Sequence, residues 1–198
     1  MCEQKLSVFS ADYWRAARRE LNNPRVLAFS GLVCAMAIVL ESLPIYLLGP
    51  SLKIYFSFLA VSLGCMCYGP VVGMMAGVCT DVLGYFAGNL SMGAYFPGYT
   101  LTAVVGGLIW GLWLYPRKIT VWRAIGAKIC INLFCNICLN TLWLTVTGGK
   151  AMSVLLVTRV PKNLILLPIE IVLVYFGMKL VNRIYGALPN GKTAAENS

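Results

Sequence analysis

The sequence predicts an all-α membrane protein with six transmembrane helices. Hydrophobic residues make up 59% of the 198-residue chain and charged residues only 12%, whereas soluble domains carry about 25% charged residues. Apolar runs close to the length of about 20 residues that a spanning helix needs recur along the chain. Basic residues cluster at alternate ends of these runs, which is the pattern of cytoplasmic loops.

The apolar runs give six spans in chain order. They are Val26 to Leu48, Ile54 to Tyr68, Pro70 to Ala87, Tyr95 to Tyr115, Ile119 to Val146, and Met152 to about Asn182. The first run is longer than the apolar core of a cleaved signal peptide, so we expect it to be kept as a span. The second is short, and Gly69-Pro70 predicts a tight turn into the third. The fifth has to tilt or project from the bilayer, and the sixth is the longest.

The excess of 16 basic over 7 acidic residues is explained by topology. The basic clusters are Lys5, Arg15, Arg18, Arg19 and Arg25 before the first span, Arg117, Lys118 and Arg123 after the fourth, and Lys179, Arg183 and Lys192 at the C-terminal end. Positive charge is typical of cytoplasmic loops, so both termini are expected in the cytoplasm. We therefore expect the basic residues to face the lipid bilayer surface, and we expect no binding of nucleic acid.

Three regions follow from this topology: a cytoplasmic N-terminal segment (1–25), a six-helix membrane domain (26–185) and a flexible cytoplasmic tail (186–198). In the first, Phe9, Tyr13, Ala17 and Leu21 recur at every fourth position, and the arginines lie off this stripe. The pattern predicts an amphipathic helix lying in the membrane interface. Docking on a partner is the alternative.

Arg159 and Lys162 are two cations inside the last apolar stretch. A charge at the bilayer centre costs about 2.5–3.5 kcal/mol on insertion scales, so such a group is paired, reaches the interface or holds an anion. Arg159 is seven residues past Met152, about 10 Å from the outer end of the helix. Pro161, between the cations, leaves the Val157 carbonyl without its helical donor. We interpret the pair as one wall of an outward-facing anion pocket.

Three carboxylates lie in apolar surroundings: Glu41, Asp81 and Glu170. Each is expected to face a cavity or a partner, and Glu170 to neutralise a neighbouring span. Asp81 continues the four-residue spacing of Gly73 and Gly77. Because glycines let another backbone approach closely, this stripe predicts a tight helix contact that ends in a carboxylate near the outer side.

Amides and aromatic residues mark the fourth and fifth spans. Asn132, Asn136, Asn140 and Trp143 share one helical face. Interhelical hydrogen bonding explains Asn132, whereas Asn140 and Trp143 lie nearer the expected pocket. The run 95–100, Tyr-Phe-Pro-Gly-Tyr-Thr, is either an interfacial aromatic belt or, with an irregular backbone at Pro-Gly, a cavity wall.

Several catalytic classes are disfavoured. The chain has no His, which excludes a His-dependent triad and the common His-based metal sites. Cys135 and Cys138 form a CxxC in an apolar helix pattern, where packing is the better interpretation. Residues 186–193 match a phosphate-binding G-x-x-x-x-G-K-T loop, but the strand and helix that this loop needs are missing. We expect no enzyme activity, metal or cofactor.

In order and spacing, five segments resemble the substrate-binding S components of energy-coupling factor (ECF) vitamin transporters, most closely the folate-specific branch. The segments are Leu52-Lys53-Ile54, 69–73 (Gly-Pro-Val-Val-Gly) with Asp81, 95–101 (Tyr-Phe-Pro-Gly-Tyr-Thr-Leu), 140–144 (Asn-Thr-Leu-Trp-Leu) and 159–168 (Arg-Val-Pro-Lys-Asn-Leu-Ile-Leu-Leu-Pro). The resemblance runs from about residue 26 to 182.

The resemblance implies an S-component-like bundle in a prokaryotic plasma membrane. It would capture folate at the outer face and work with a transmembrane coupling subunit (EcfT-like) and two ATPase subunits (EcfA-like). Small residues on the first span dock the coupling subunit in this family, and Gly31 and Ala35 match that pattern. Close packing inside this chain is the alternative for this pair.

The resemblance and the residue chemistry together give a substrate-binding set: Asp81, Phe96, Tyr99, Thr100, Asn140, Trp143, Arg159 and Lys162. The two cations would hold the folate carboxylates. The Asp81 carboxylate or the Asn140 amide would pair with the pterin edge, and the aromatic rings would stack on the ligand. Another anionic vitamin such as biotin is the alternative substrate. A stand-alone secondary transporter is the less favoured class, because the chain shows no convincing internal repeat.

Overall fold

The computed structural model of the protein describes residues 11–43, 45–46, 53–88, 95–115, 120–149 and 152–187. Several sequence predictions fall outside these ranges. They are Lys5 and Phe9, Leu52, the loops near Pro50 and at 89–94, the basic pair Arg117-Lys118, and the tail from residue 188 with Lys192 and most of the G-x-x-x-x-G-K-T match.

The described chain is helical apart from one short strand pair. In chain order it contains α1 (Ala11–Arg19), a 3₁₀ turn (Glu20–Asn22), α2 (Pro24–Glu41), β1 (Ile45–Tyr46), β2 (Lys53–Ile54), α3 (Ser57–Gly88), α4 (Pro97–Leu114), α5 (Val121–Cys130), a π-helical segment (Ile131–Leu139), α6 (Asn140–Gly148) and α7 (Met152–Ala187). Five helical stretches are long and apolar enough to cross a membrane: Pro24–Glu41, Ser57–Ala87, Pro97–Leu114, Val121–Gly148 and Met152–Val181. The predicted all-α membrane fold is confirmed.

The second and third predicted spans are the two arms of α3. Gly69 has φ 84° and ψ −176°, a left-handed conformation that favours glycine, and Pro70 follows it. A Cβ on Gly73 would lie only 2.5 Å from the Cys65 sulfur, although eight residues of straight helix span about 12 Å. The arms therefore lie side by side around the predicted Gly69-Pro70 turn, so the described chain contains six apolar helical arms after α1.

The first predicted span is too long at its C-terminal end. Helix α2 ends at Glu41, and the Ser42 amide caps it by donating to the Ile38 and Val39 carbonyls, each at 3.1 Å. Beyond it, β1 and β2 pair antiparallel, with Ile45 opposite Ile54. Hydropathy placed Ile45 at the end of the first span and Ile54 at the start of the second, but both lie in the strand pair. An apolar pattern this short is compatible with a helix or with a strand.

The fourth span begins later than predicted, at Pro97. Phe96 is the N-cap with an extended backbone (φ −121°, ψ 116°), and Pro97 occupies the first turn of α4. Proline is favoured at that position because its missing N–H has no helical acceptor there. The prediction of an irregular backbone at Pro97-Gly98 is therefore wrong, because both residues belong to α4 and the extended residue is Phe96 before it.

The second arm of α3 packs tightly against α4, and this is the most extensive contact between described helices. A Cβ on Gly77 would lie 2.6 Å from the Ala103 carbonyl oxygen, and one on Gly107 would overlap the Gly73 carbonyl. Glycine is required at these positions because the neighbouring backbone occupies the space of a side chain. The predicted close helix contact along Gly73 and Gly77 is present.

Helix α1 lies against the same bundle at the opposite end from Asp81. Tyr13 and Ala17, two members of the predicted apolar stripe, are 1% and 0% exposed. The Tyr13 hydroxyl lies 3.4 Å from the Gly111 carbonyl oxygen and 3.5 Å from that of Tyr115, at the end of α4. These two side chains thus face protein, while the interfacial location of the helix stays a prediction.

A Gly77→Ala variant tests the helix contact. Its methyl group meets the Ala103 backbone, and overpacking typically costs about 1–3 kcal/mol. We expect the thermal unfolding midpoint in detergent to fall by about 2–4 °C for each kcal/mol, as measured by circular dichroism. Gly84→Ala in the same helix is the control, because its Cβ would lie 4.0 Å from Ile38. Equal midpoints for the two variants would contradict the close contact.

Candidate functional site

Asp81, Thr100 and Tyr95 form a hydrogen-bonded cluster where α3 ends and α4 begins. The Thr100 hydroxyl donates to the Asp81 carboxylate at 2.6 Å. The Tyr95 and Thr100 hydroxyls also bond, and since the Thr100 proton is directed to Asp81, Tyr95 is the donor. Among described residues, only Oδ2 of Asp81 is engaged. Its Oδ1, at the end of the bundle, accepts no hydrogen bond from the part of the chain that the structure describes.

The aromatic residues of α4 and α6 meet beside this cluster. The Phe96 and Trp143 ring centroids are 5.5 Å apart, and those of Phe96 and Tyr99 are 6.0 Å apart. The Trp143 indole donates to the Thr102 hydroxyl at 3.0 Å. A Cβ on Gly98 would lie 2.6 Å from the Trp143 ring, so glycine is what lets Trp143 pack onto the first turn of α4.

Arg159 reaches from α7 to the helix that carries Trp143. Its Nη1 donates to the Asn136 carbonyl oxygen at 3.4 Å. Lys162 follows three residues later, which places it on the same side of α7. Because one weak bond uses little of a guanidinium with five N–H donors, Arg159 keeps donors for an anion.

The three asparagines have different environments. Asn132 is buried, and its Oδ1 accepts from the Asn136 side chain at 2.8 Å. This bond lies within one helix, so the expected interhelical role of Asn132 is not what the structure shows. Asn140 is half-buried and makes no side-chain hydrogen bond within the described part of the chain. Its amide is available to a ligand.

The π-helical segment Ile131–Leu139 was not predicted. Its hydrogen bonds run from i to i+5, and such geometry is frequent at functional sites. The asparagine face crosses it into α6, and its burial decreases from Asn132 to Asn136 and Asn140. The segment contains neither Gly nor Pro, so the usual sequence signals of a helix irregularity are lacking.

A buried ion pair was also missed in part. Lys128 Nζ lies 3.2 Å from Glu170 Oε2, with side chains 3% and 12% exposed. The ammonium also lies 4.1 Å from the centre of the Phe58 ring and 5.9 Å from that of Trp110. The expectation that Glu170 neutralises a neighbouring span is met. The sequence held one signal for its partner: Lys128 is a cation nine residues past Ile119, where the fifth predicted span begins.

Glu41 and the small residues of α2 lie on exposed surface. Glu41 is the last residue of α2 and is exposed, so among the described residues it faces no enclosed cavity. Gly31 and Ala35 are exposed, and a Cβ on Gly31 would meet nothing within 4 Å. Internal packing therefore does not explain Gly31, whereas docking of a partner stays a prediction.

All eight residues of the predicted substrate-binding set are half-buried: Asp81, Phe96, Tyr99, Thr100, Asn140, Trp143, Arg159 and Lys162. They come from the end of α3, the start of α4, the start and middle of α6, and the first turns of α7. Because successive helical arms run antiparallel, these segments meet at one end of the bundle. A carboxylate, aromatic rings and cations are the groups that a flat, polar-edged anion needs.

Comparison with known proteins identifies the family. The model of the family "ECF transporter, substrate-specific component" matches residues 25–176. The chain belongs to this family. Helix α1 precedes the matched region, so it lies outside what the family model describes.

Two curated relatives carry the same name. The chain is 39% identical over 135 residues to the folate transporter FolT of Clostridium novyi (strain NT), covering 68% of this chain and 77% of the relative. It is 33% identical over 131 residues to the folate transporter FolT of Leuconostoc mesenteroides subsp. mesenteroides, covering 63% and 70%. A crystal structure of FolT bound with folic acid matches with a TM-score of 0.70 and 29% identity, over 78% of this chain and 92% of that one.

A double-mutant cycle between Thr102 and Trp143 tests the aromatic wall. Thr102→Val leaves the indole N–H of Trp143 without its acceptor, and we expect a loss of about 0.5–1.5 kcal/mol of stability. In a Trp143→Phe background the same change should cost much less, because no N–H is left unpaired. Unfolding midpoints in detergent give the coupling. An equal cost in both backgrounds would show that the bond contributes nothing.

Proposed function

We propose that this chain is a folate-specific S component, which captures folate at the outer membrane face and delivers it inward as part of an ECF-type ABC transporter. Two relatives named folate transporters and a structural neighbour that holds folic acid support the substrate. One observation carries the proposal. The two cations of α7 lie at the same end of the bundle as the aromatic contact between Phe96 and Trp143. A dianionic ligand with flat rings needs both.

Different side chains bind different parts of the folate molecule. Arg159 and Lys162 hold the two glutamate carboxylates, and Arg159 suits a bidentate contact because its guanidinium is planar. Asp81 accepts N–H bonds from the pterin through Oδ1, while Thr100 fixes the carboxylate by its 2.6 Å bond. Asn140 offers both a donor and an acceptor to the same edge.

The rings of Phe96, Tyr99 and Trp143 enclose the flat parts of the ligand. Aromatic pairs prefer centroid separations of about 4.5–7 Å, and the present pairs at 5.5 and 6.0 Å contact each other directly. A ligand ring therefore stacks on the exposed side of this cluster or replaces one of its contacts. Biotin has no aromatic ring to use these surfaces.

Transport needs subunits other than this chain. We place both termini in the cytoplasm of a prokaryotic cell, with the site facing outward when it is empty, because the basic residues fall on the side opposite the site. A transmembrane coupling subunit docks on the exposed small residues Gly31 and Ala35 of α2. Two ATPase subunits supply the energy, since the first two residues of the phosphate-loop match belong to α7 and not to a strand-to-helix turn.

The first test is ligand titration by quenching of the five Trp residues. Arg159→Gln removes one charge-assisted contact worth about 1.5–3 kcal/mol, so we expect folate affinity to fall roughly 10–150-fold. Arg183→Gln, an exposed cation further along α7, is the control and should bind as the unchanged chain does. Saturable binding of biotin without a folate response would replace the substrate. Full folate affinity in both Arg159→Ala and Lys162→Ala would refute the anion anchor.

The second test separates docking from binding. Gly31→Leu places a bulky group on the exposed face of α2, where the glycine has open space around it. We expect unchanged folate binding in detergent but loss of ATP-driven folate uptake in cells that also produce the coupling and ATPase subunits. Lys192→Ala should leave uptake unchanged, because the tail does not bind ATP. Normal uptake by Gly31→Leu would exclude this face as the docking site.

A further inference from the structure

Two polar contacts join the same pair of helices. Lys128 of α5 meets Glu170 of α7 at 3.2 Å, and Asn136 of the π-helical segment accepts from Arg159 of α7 at 3.4 Å. The pairings run in opposite chain directions, as expected of antiparallel helices. The ion pair thus lies on the same interface as the proposed anion anchor. Lys128 is about two helical turns before Asn136, and Glu170 is about three turns after Arg159.

The two contacts differ in how firmly they hold. Arg159 makes a long, half-buried bond to a backbone oxygen, whereas Lys128 and Glu170 are nearly excluded from solvent. Screening is weak for such a buried pair, and the Phe58 ring 4.1 Å from the ammonium adds a cation–π contact. Of these two contacts, the ion pair is therefore the one that sets the register of α7 against α5.

The π-helical segment links the register of α7 against α5 to the position of Arg159. It begins three residues after Lys128 and carries Asn136. Bonds from i to i+5 are less favourable than those of an α-helix and persist where tertiary contacts hold them. A shift of α7 by one residue moves Arg159 by about 1.5 Å, which is enough to misalign a bidentate carboxylate contact.

We propose that Lys128 and Glu170 are positioning residues, which set the register of α7 against α5 and the π-helical segment and so hold Arg159 at the carboxylate end of the ligand. This role rests on the proposed folate site. A purely structural pair would stabilise the fold and affect all ligands equally. A positioning pair affects the carboxylates of the ligand selectively.

The test compares folic acid with its dimethyl ester, which keeps the pterin and the linker but has no free carboxylate. The ratio of the two dissociation constants measures how well the cations hold the carboxylates. Lys128→Met combined with Glu170→Met removes both charges without leaving one alone in the membrane, a change that packed interiors often tolerate. Arg159→Gln is the reference, and Lys179→Met, an exposed cation later in α7, is the matched control.

We expect the double variant to bind the ester within about threefold of the unchanged chain, while the ratio falls at least about tenfold towards that of Arg159→Gln. Lys179→Met should keep the full ratio. A double variant with an unchanged ratio overturns the positioning role and leaves the folate site intact. If Arg159→Gln itself keeps the full ratio, the anion anchor of the proposed function fails, and the positioning role fails with it.

A second variant covers the case in which the double variant does not fold. Glu170→Asp keeps both charges and shortens the acidic side chain by one methylene, so the chain should remain folded. Either the ion pair lengthens or α7 moves towards α5, and we expect the ratio to fall at least about threefold with ester binding unchanged. The unchanged ratio in a folded Glu170→Asp protein would overturn the proposal in the same way.

Discussion

The direct backbone contact between the second arm of α3 and α4 is the constraint on which the rest of the bundle depends. Pro70 lies beside Gly111, Gly73 beside Gly107, and Gly77 beside Ala103. This antiparallel register, continued by one turn, brings Asp81 to Thr100, where the 2.6 Å hydrogen bond is found. This helix contact therefore also places the carboxylate of the proposed site.

Polar groups in this membrane domain divide into two sets with different consequences. Lys128 Nζ and Glu170 Oε2 lie 3.2 Å apart, so these two charges neutralise each other before any ligand arrives. Arg159 and Asn140 belong to the other set, and the described residues use little of their hydrogen-bonding capacity. A bilayer penalises unsatisfied polar groups, which is why incomplete pairing at one end of the bundle is a mark of binding.

The sequence predicted the close helix contact of α3 with α4 better than it predicted the local environment of its polar residues. Glycine spacing found the close contact at Gly73 and Gly77 and its terminal Asp81, and the cost of charge in lipid singled out Arg159. The same reasoning extended α2 to Leu48, because hydropathy does not distinguish a helix end from the strand pair at Ile45 and Ile54. It also missed the π-helical segment, whose backbone register depends on neighbouring helices.

The sequence by itself determined how many apolar helical arms there are and where Gly69 turns the chain. These properties can be read along the chain, because the bilayer requires apolar residues in spans and favours basic residues in cytoplasmic loops. Only the tertiary structure decided that Lys128 is the partner of Glu170 and that Tyr13 of α1 faces protein. Periodicity gives the face of a helix on which a residue lies, but the neighbour across that face is set by packing.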